Sequence, residues 1–173
     1  MKADDTLQKN PQVSRQALRD VHEPLFAWAM SRCDFNQDEA EDLMQQAYVE
    51  VLSGRARFER KSTFKTFMFG VVQKLATSRR RKIAIRLRIV QNNEQELKQM
   101  DGLETSRGGT EPDRVWQAVA NLPAQQRDIT ELVFCRDISI EAASAIMGVS
   151  VGTGRVHYDR AKKALAKSLA DFD

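Results

Sequence analysis

Cysteine and histidine are nearly missing from this chain, with two of each in 173 residues. Cys33 and Cys135 form no Cys-x-x-Cys pair, and His22 and His157 are too few for a His-rich metal centre. That excludes a disulfide framework and zinc-ligand spacing, and points to a reducing compartment, so the expected location is cytoplasmic. Long apolar runs are also missing. Nothing approaches the roughly 18–20 residues of a membrane span, and the polar stretch Met1–Pro11 lacks the apolar core of a secretory signal. There is no P-loop, no His-Glu-x-x-His and no carboxylate cluster beside a base, so no catalytic site, metal or cofactor is expected. No segment alternates apolar and polar residues as a strand would, and no internal repeat is present. At roughly 150 residues per domain, the length allows one domain or two small ones.

What is present is charge, unevenly placed. The net +3 hides strong blocks. Residues 16–50 carry eight acidic groups against two basic ones, and residues 51–90 carry twelve basic against one acidic. Residues 91–113 are acidic again, with six against two, and residues 114–173 are near balance. Such asymmetry predicts two kinds of partner, one cationic and one anionic.

The apolar spacing predicts helices throughout. Val21, Leu25, Trp28 and Ala29 mark the first, with Pro24 inside it as a point of kinking or splitting. Asp34-Phe35-Asn36 is a turn. Ala40, Leu43, Met44, Ala47, Tyr48 and Val51 mark a second helix from about Asp38 to Leu52, with acidic first turns that suit the helix dipole. A third starts at Ser62 or Thr63, either able to cap it, and continues through Phe64, Phe67, Met68, Val71, Val72 and Leu75 to about Arg88. Phe64, Phe67 and Phe69 are expected to be mostly core. Residues 91–112 are polar, acidic and Gly-containing, the composition of a flexible linker. Thr110 then caps a helix whose apolar face is Val115, Trp116, Val119 and Leu122. Pro123 restarts the chain into a helix with Ile129, Leu132 and Val133 inward. Helices Ile140–Met147 and Val151–Leu169 follow, joined by Gly148-Val149-Ser150.

That last pair has the form of a helix-turn-helix. Ile140, Ala143 and Ile146 face inward, Gly148 supplies the left-handed turn, Ser150 caps the second helix, and cations decorate it. An ordinary helical hairpin has the same spacing. Ile140–Leu165 resembles the region-four helix-turn-helix of bacterial sigma factors of the extracytoplasmic-function (ECF) class. Gly152-Thr153, Arg155 and Arg160-Ala161-Lys162-Lys163-Ala164-Leu165 match its pattern. Gly154 departs from the family's Val, at a cost of about 1 kcal/mol in helix propensity. Glu39-Ala40-Glu41-Asp42-Leu43-Met44-Gln45 is similar to that family's region-two motif, and Phe58–Arg81 to its promoter-melting segment.

The resemblance implies an all-α chain of two small helical domains joined by a flexible linker. Residues 14–90 would be a region-two domain, 91–112 the linker and 113–170 a region-four helix-turn-helix domain. It implies a non-enzymatic promoter-specificity subunit with core RNA polymerase and promoter DNA as partners. Glu39, Glu41, Asp42, Gln45 and Gln46 would dock on the clamp helices of the largest polymerase subunits, with further contact at the flap region. Gln46 stands where the family often has Glu, which weakens that acidic face by one charge. Lys61, Ser62 and Lys74 would lie near an unstacked −10 base, and Arg79, Arg80, Arg81 and Lys82 near its phosphates. Arg155, Val156 and Asp159 would face −35 base edges, with His157, Arg160 and Lys163 as backbone or flank contacts. Thr63 has two readings: a plain helix cap, or a phosphorylation site beside Arg60, Lys61 and Lys65 that restores the charge Gln46 lacks. Control by an anti-sigma factor or by a Ser/Thr kinase would follow respectively.

Two rival functions remain at the level of sequence. A stand-alone helix-turn-helix regulator has no use for Glu39–Gln45. A nucleic-acid enzyme would have to build a metal site from the carboxylates before Leu43.

Overall fold

The computed structural model describes residues 13–91 and 111–170. All regular structure among them is helical, as the absence of alternating patterns predicts. The chain divides into two compact units that meet in sequence at Leu87 and Arg88.

In the first unit, α1 spans Arg15–Arg32 and is capped by Ser14, whose Oγ accepts from the Ala17 amide at 3.0 Å. It runs through Pro24 as one element. The proline removes one backbone donor, but Val21, Leu25, Trp28 and Ala29 are buried on both sides of it. Packing outweighs the lost bond there. Asp34 and Phe35 adopt left-handed backbone, φ 49° and 61°. The Phe35 amide donates to the Met30 carbonyl at 2.9 Å, closing the turn.

Asn36 then caps α2, Gln37–Leu52, by accepting from the Glu39 amide at 3.1 Å. Its buried stripe is Ala40, Leu43, Met44, Ala47 and Val51. α3 spans Phe64–Gln91, a turn beyond the expected end near Arg88. Thr63 is its cap, accepting from the Thr66 amide at 3.1 Å. Met68, Phe69, Val72 and Ala76 bury its first half. Phe69 stacks on Trp28 with ring centroids 5.8 Å apart, and both are fully buried. Burial of one such side chain contributes about 2–3 kcal/mol. The Arg32 guanidinium lies over the other part of this centre, 4.0 Å from the Trp28 ring. Past Ala76 the apolar side chains turn outward, and Ile83, Ile85 and Leu87 are exposed.

The first helix lying wholly in the second unit is α4, Glu111–Ala120. Helix thus occupies both edges of the stretch 91–112 expected to be linker. Residues 92–110, including the expected cap Thr110, lie outside the described residues. The apolar face of α4 differs from the expected one. Ala118 and Leu122 are buried, whereas Val115 and Trp116 are exposed. A short helix within a small unit can cover only part of a wide apolar stripe.

α5, Ala124–Thr130, passes into a wider π-helical turn, Glu131–Cys135. Ile129 and Leu132 are fully buried. The buried Glu131 carboxylate is satisfied by Arg136 at 2.9 Å. α6 is Ile140–Met147, capped by Ser139, and α7 is Val151–Ala170. Gly148 sits at φ 71°, the left-handed conformation that ends α6. Ser150 Oγ accepts from the Thr153 amide at 3.1 Å and starts α7.

Candidate protein and nucleic-acid interfaces

The stripe that buries α2 leaves its opposite side to solvent. Glu39, Glu41, Asp42, Gln45 and Gln46 are all exposed there. Gln37 donates to the Glu41 carboxylate at 2.9 Å. Beside this face, a shallow groove of about 350 Å³ runs between α1 and α2, lined by His22, Phe26, Gln37, Glu41, Met44, Gln45 and Tyr48. His22 Nδ1 and the Tyr48 hydroxyl lie 2.8 Å apart. Partial burial pushes the Tyr48 hydroxyl pKa up. Gln46 differs from its neighbours. Its side-chain oxygen accepts from Arg79 Nε at 3.3 Å and Nη2 at 3.1 Å. Arg79 Nη1 also donates to the Glu39 carbonyl at 3.3 Å.

The cations expected to act together therefore divide. Arg79 clasps α2, and Arg80 Nη2 donates to the Arg32 carbonyl at 3.0 Å, closing the end of α1. Arg81 and Lys82 are exposed, followed by exposed Arg86 and Arg88. The adjacency of four cations in sequence could not reveal this division, because successive residues on a helix point about 100° apart.

Around the start of α3, Phe58, Phe64 and Phe67 form a half-buried aromatic cluster, with centroids 5.2–6.1 Å apart. Of the three phenylalanines expected to be mostly core, only Phe69 is fully buried. The loop over the cluster carries Arg60 at φ 57°, Lys61, Ser62 and the cap Thr63, all exposed. Lys61 pairs with Glu59, whose carboxyl is held below its usual range first by that hydrogen bond. Thr63 Oγ1 also donates to Thr66 Oγ1 at 2.9 Å. Lys74 is exposed on the same helix, about 16 Å further along its axis. It lies close enough to Glu50 to help lower that carboxyl's pKa, behind the larger effect of the Arg55 hydrogen bond.

In the second unit, α7 turns Arg155, Val156, Asp159, Arg160 and Lys163 to solvent, with His157 half-buried. Asp159 pairs with Lys162 at 3.2 Å. Lys162 lies 4.9 Å over the Tyr158 ring, which stacks on exposed Phe134 at 5.6 Å. Gly154 is buried. A Cβ at this position would overlap the Ser144 hydroxyl and lie 3.1 Å from Ser144 Cβ and 3.2 Å from Ile129 Cδ1. The family's Val would crowd Ser144 and Ile129 here, and the glycine is a site of close helix approach rather than only a cost in helix propensity.

Two family models match the chain: Sigma-70 region 2 over residues 18–84 and Sigma-70, region 4 over residues 113–165. Together they cover both units. The chain belongs to the sigma-70 family, in its ECF class. A relative named ECF RNA polymerase sigma factor EcfG, from Rhodopseudomonas palustris, is 29% identical over 142 residues, 78% of this chain and 73% of that one. A probable RNA polymerase sigma-C factor from Mycobacterium bovis is 28% identical over 134 residues, covering 78% and 70%. Among solved structures, the sigma factor RpoE of Bartonella quintana, in complex with the anti-sigma factor NepR, matches at a TM-score of 0.68. The identity is 28%, with 90% of this chain and 96% of that one covered. In this sigma factor the region-two match spans most of α1, all of α2 and most of α3, and the region-four match ends within α7. Among the described residues there is no cluster of His, Cys, Asp and Glu fit to hold a metal ion. No helix among them is long and apolar enough to cross a membrane.

Proposed function

We propose that this sigma factor binds core RNA polymerase in the cytoplasm and directs promoter-specific initiation without catalytic chemistry of its own. The observation that carries this is the opposition of charge on one small unit. α2 presents Glu39, Glu41 and Asp42, while α3 presents Lys74, Arg81 and Lys82. An acidic face suits the basic clamp helices of the polymerase, and complementary charge steers the encounter. A cationic helix suits DNA phosphates. Residues 14–90 serve polymerase docking and the −10 element. Lys61 and Ser62, over the Phe58–Phe64–Phe67 cluster, meet the opened base, and Arg79 and Arg80 brace the helix that carries Arg81 and Lys82. Residues 113–170 contact the flap region and read the −35 element through α7, with Arg155, Val156 and Asp159 on base edges and His157, Arg160 and Lys163 around them. The intervening stretch 91–112 lets both elements be touched at once.

Thr63 is the proposed control point. Its hydroxyl is exposed at the start of α3 among Arg60, Lys61 and Lys65. A phosphate there gains from the helix dipole and from those cations. It also supplies negative charge that the neutral Gln46 does not. A Ser/Thr kinase is therefore the expected activator.

The test is reconstituted transcription with core polymerase on candidate promoters. Promoter-specific starts are expected, and failure to bind core polymerase would refute the proposal. Thr63→Glu should transcribe and Thr63→Ala should not. Equal activity of both, with or without kinase, removes the phosphorylation switch. Loss of activity on adding a candidate anti-sigma factor, with Thr63 variants alike, would assign control to that factor instead.

A further inference from the structure

Glu141 has no role in the functions assigned above. It stands in the first turn of α6, two residues after the cap Ser139. Yet its carboxylate reaches across to that helix. Glu141 Oε1 accepts from Arg155 Nη2 at 3.0 Å, and both side chains remain more than half exposed, at 57% and 66%. Hydrogen bonds from its own backbone amide, and then from Arg155, hold the Glu141 carboxyl below its usual range. The acid is thus ionised across the neutral range.

An exposed ion pair of this kind adds little to stability. Its effect is on where the arginine points. A guanidinium reads guanine by presenting two parallel donors to O6 and N7, and a free Arg side chain has many rotamers that cannot do so. Contact with Glu141 engages Nη2 of the guanidinium and leaves Nε, Nη1 and the second Nη2 hydrogen to point elsewhere. It also offsets the charge that would otherwise draw Arg155 to any nearby phosphate.

The backbone beneath supports the same geometry. Residue 154, next to Arg155, packs directly on Ser144 of α6 because glycine has no Cβ. Ser144 is fully buried and its hydroxyl donates to the Ile140 carbonyl at 2.6 Å. Ser144 and Glu141 lie one turn apart on α6. The close contact therefore fixes how far α7 stands from the Glu141 carboxylate.

We propose that Glu141 is a positioning residue for promoter recognition: it orients Arg155 toward a base edge and withholds it from phosphates. The proposal rests on the role of α7 as the reader of the −35 element. It turns a salt bridge between two helices into a determinant of sequence preference.

The test uses holoenzyme made with the full chain and a promoter library randomised through the −35 element. Arg155→Ala should erase the base preference at one position. Glu141→Ala should weaken that same preference about tenfold, a typical value for one arginine–guanine contact, and leave the other positions alone. Its binding to unrelated duplex should tighten, and its salt dependence should steepen by about one phosphate contact. Glu141→Gln, which keeps the acceptor, should retain most of the preference. In the Arg155→Ala background, Glu141→Ala should change nothing. Melting temperatures of the variants should match, since both side chains are exposed.

Full preference in Glu141→Ala, where Arg155→Ala has lost it, overturns the proposal. So does an effect of Glu141→Ala that persists without Arg155, which would place the carboxylate on the DNA itself. No change on Arg155→Ala overturns instead the base-reading role of Arg155, so the two failures are distinct.

Discussion

Residue 154 shows how one position can be judged oppositely from sequence and from structure. By helix propensity, Gly154→Ala should stabilise α7 by about 1 kcal/mol. The buried approach to Ser144 reverses the sign. Overpacking at such a contact costs about 1–3 kcal/mol, so thermal melting should show Gly154→Ala destabilised. Adding Ser144→Gly should recover much of that loss. A raised melting point for Gly154→Ala alone would contradict the packing account. The two cysteines offer a second test. Burial, followed by the nearby Glu39 carboxylate, pushes the Cys33 thiol above its usual value of 9.0. Burial and Glu131 do the same to Cys135. Only Cys135 is exposed. Alkylation of the native protein near neutral pH should modify Cys135 first, and peptide mapping should find Cys33 modified only on unfolding. Because folding raises the Cys33 pKa, its contribution to stability is whole below the ordinary thiol value. It declines as pH rises from there through the folded value. Denaturant midpoints at pH 8 and pH 10 should therefore differ in that direction, and Cys33→Ala should lessen the difference.

Among the elements, boundaries were largely legible in the residues. Asn36, Thr63, Ser139 and Ser150 each accept an amide hydrogen bond at a helix start. Their short polar side chains announce this locally, as Gly148 announces the left-handed turn. What stayed hidden depends on partners distant in sequence. Trp116 belongs by spacing to a buried face, but nothing among the described residues covers it enough to prevent 58% exposure. Arg79 belongs by composition to a phosphate-binding run, but its fork meets Gln46, 33 residues earlier. The proposed interface was legible as charge blocks and motifs, and its division of labour was not. That division has a measurable form. Arg81→Gln with Lys82→Gln should lower the salt slope of promoter binding by about two phosphate contacts with little effect on folding. Arg79→Gln should instead loosen α3 from α2, lowering the melting temperature while leaving the slope near its original value. Equal salt effects from the two replacements would remove the distinction.

At the level of the whole molecule, each unit has a core of its own: Trp28, Phe69 and Leu43 in one, Ile129, Leu132 and Ala143 in the other. Units of this size bury a modest share of their surface and are only marginally stable. Calorimetry should resolve two unfolding events, and Gly154→Ala should lower only the one belonging to the second unit. A single transition moved by that substitution would mean that the units unfold together. The charge total of +3 describes neither unit. Exposed cations concentrate on α3 of the first, and in the second the outward face of α7 mixes Arg155, Arg160 and Lys163 with Asp159. On the proposed reading, recognition by that second unit comes from placement of a few groups.

The Ser144–Gly154 contact also constrains history. Glycine at 154 leaves room for the hydroxyl at residue 144. With serine at 144, a side chain at residue 154 costs stability. A lineage leaving this arrangement must first shrink residue 144, and only then enlarge residue 154. Comparison of close relatives should find the two changes in that order, with the serine and a branched side chain at 154 never together.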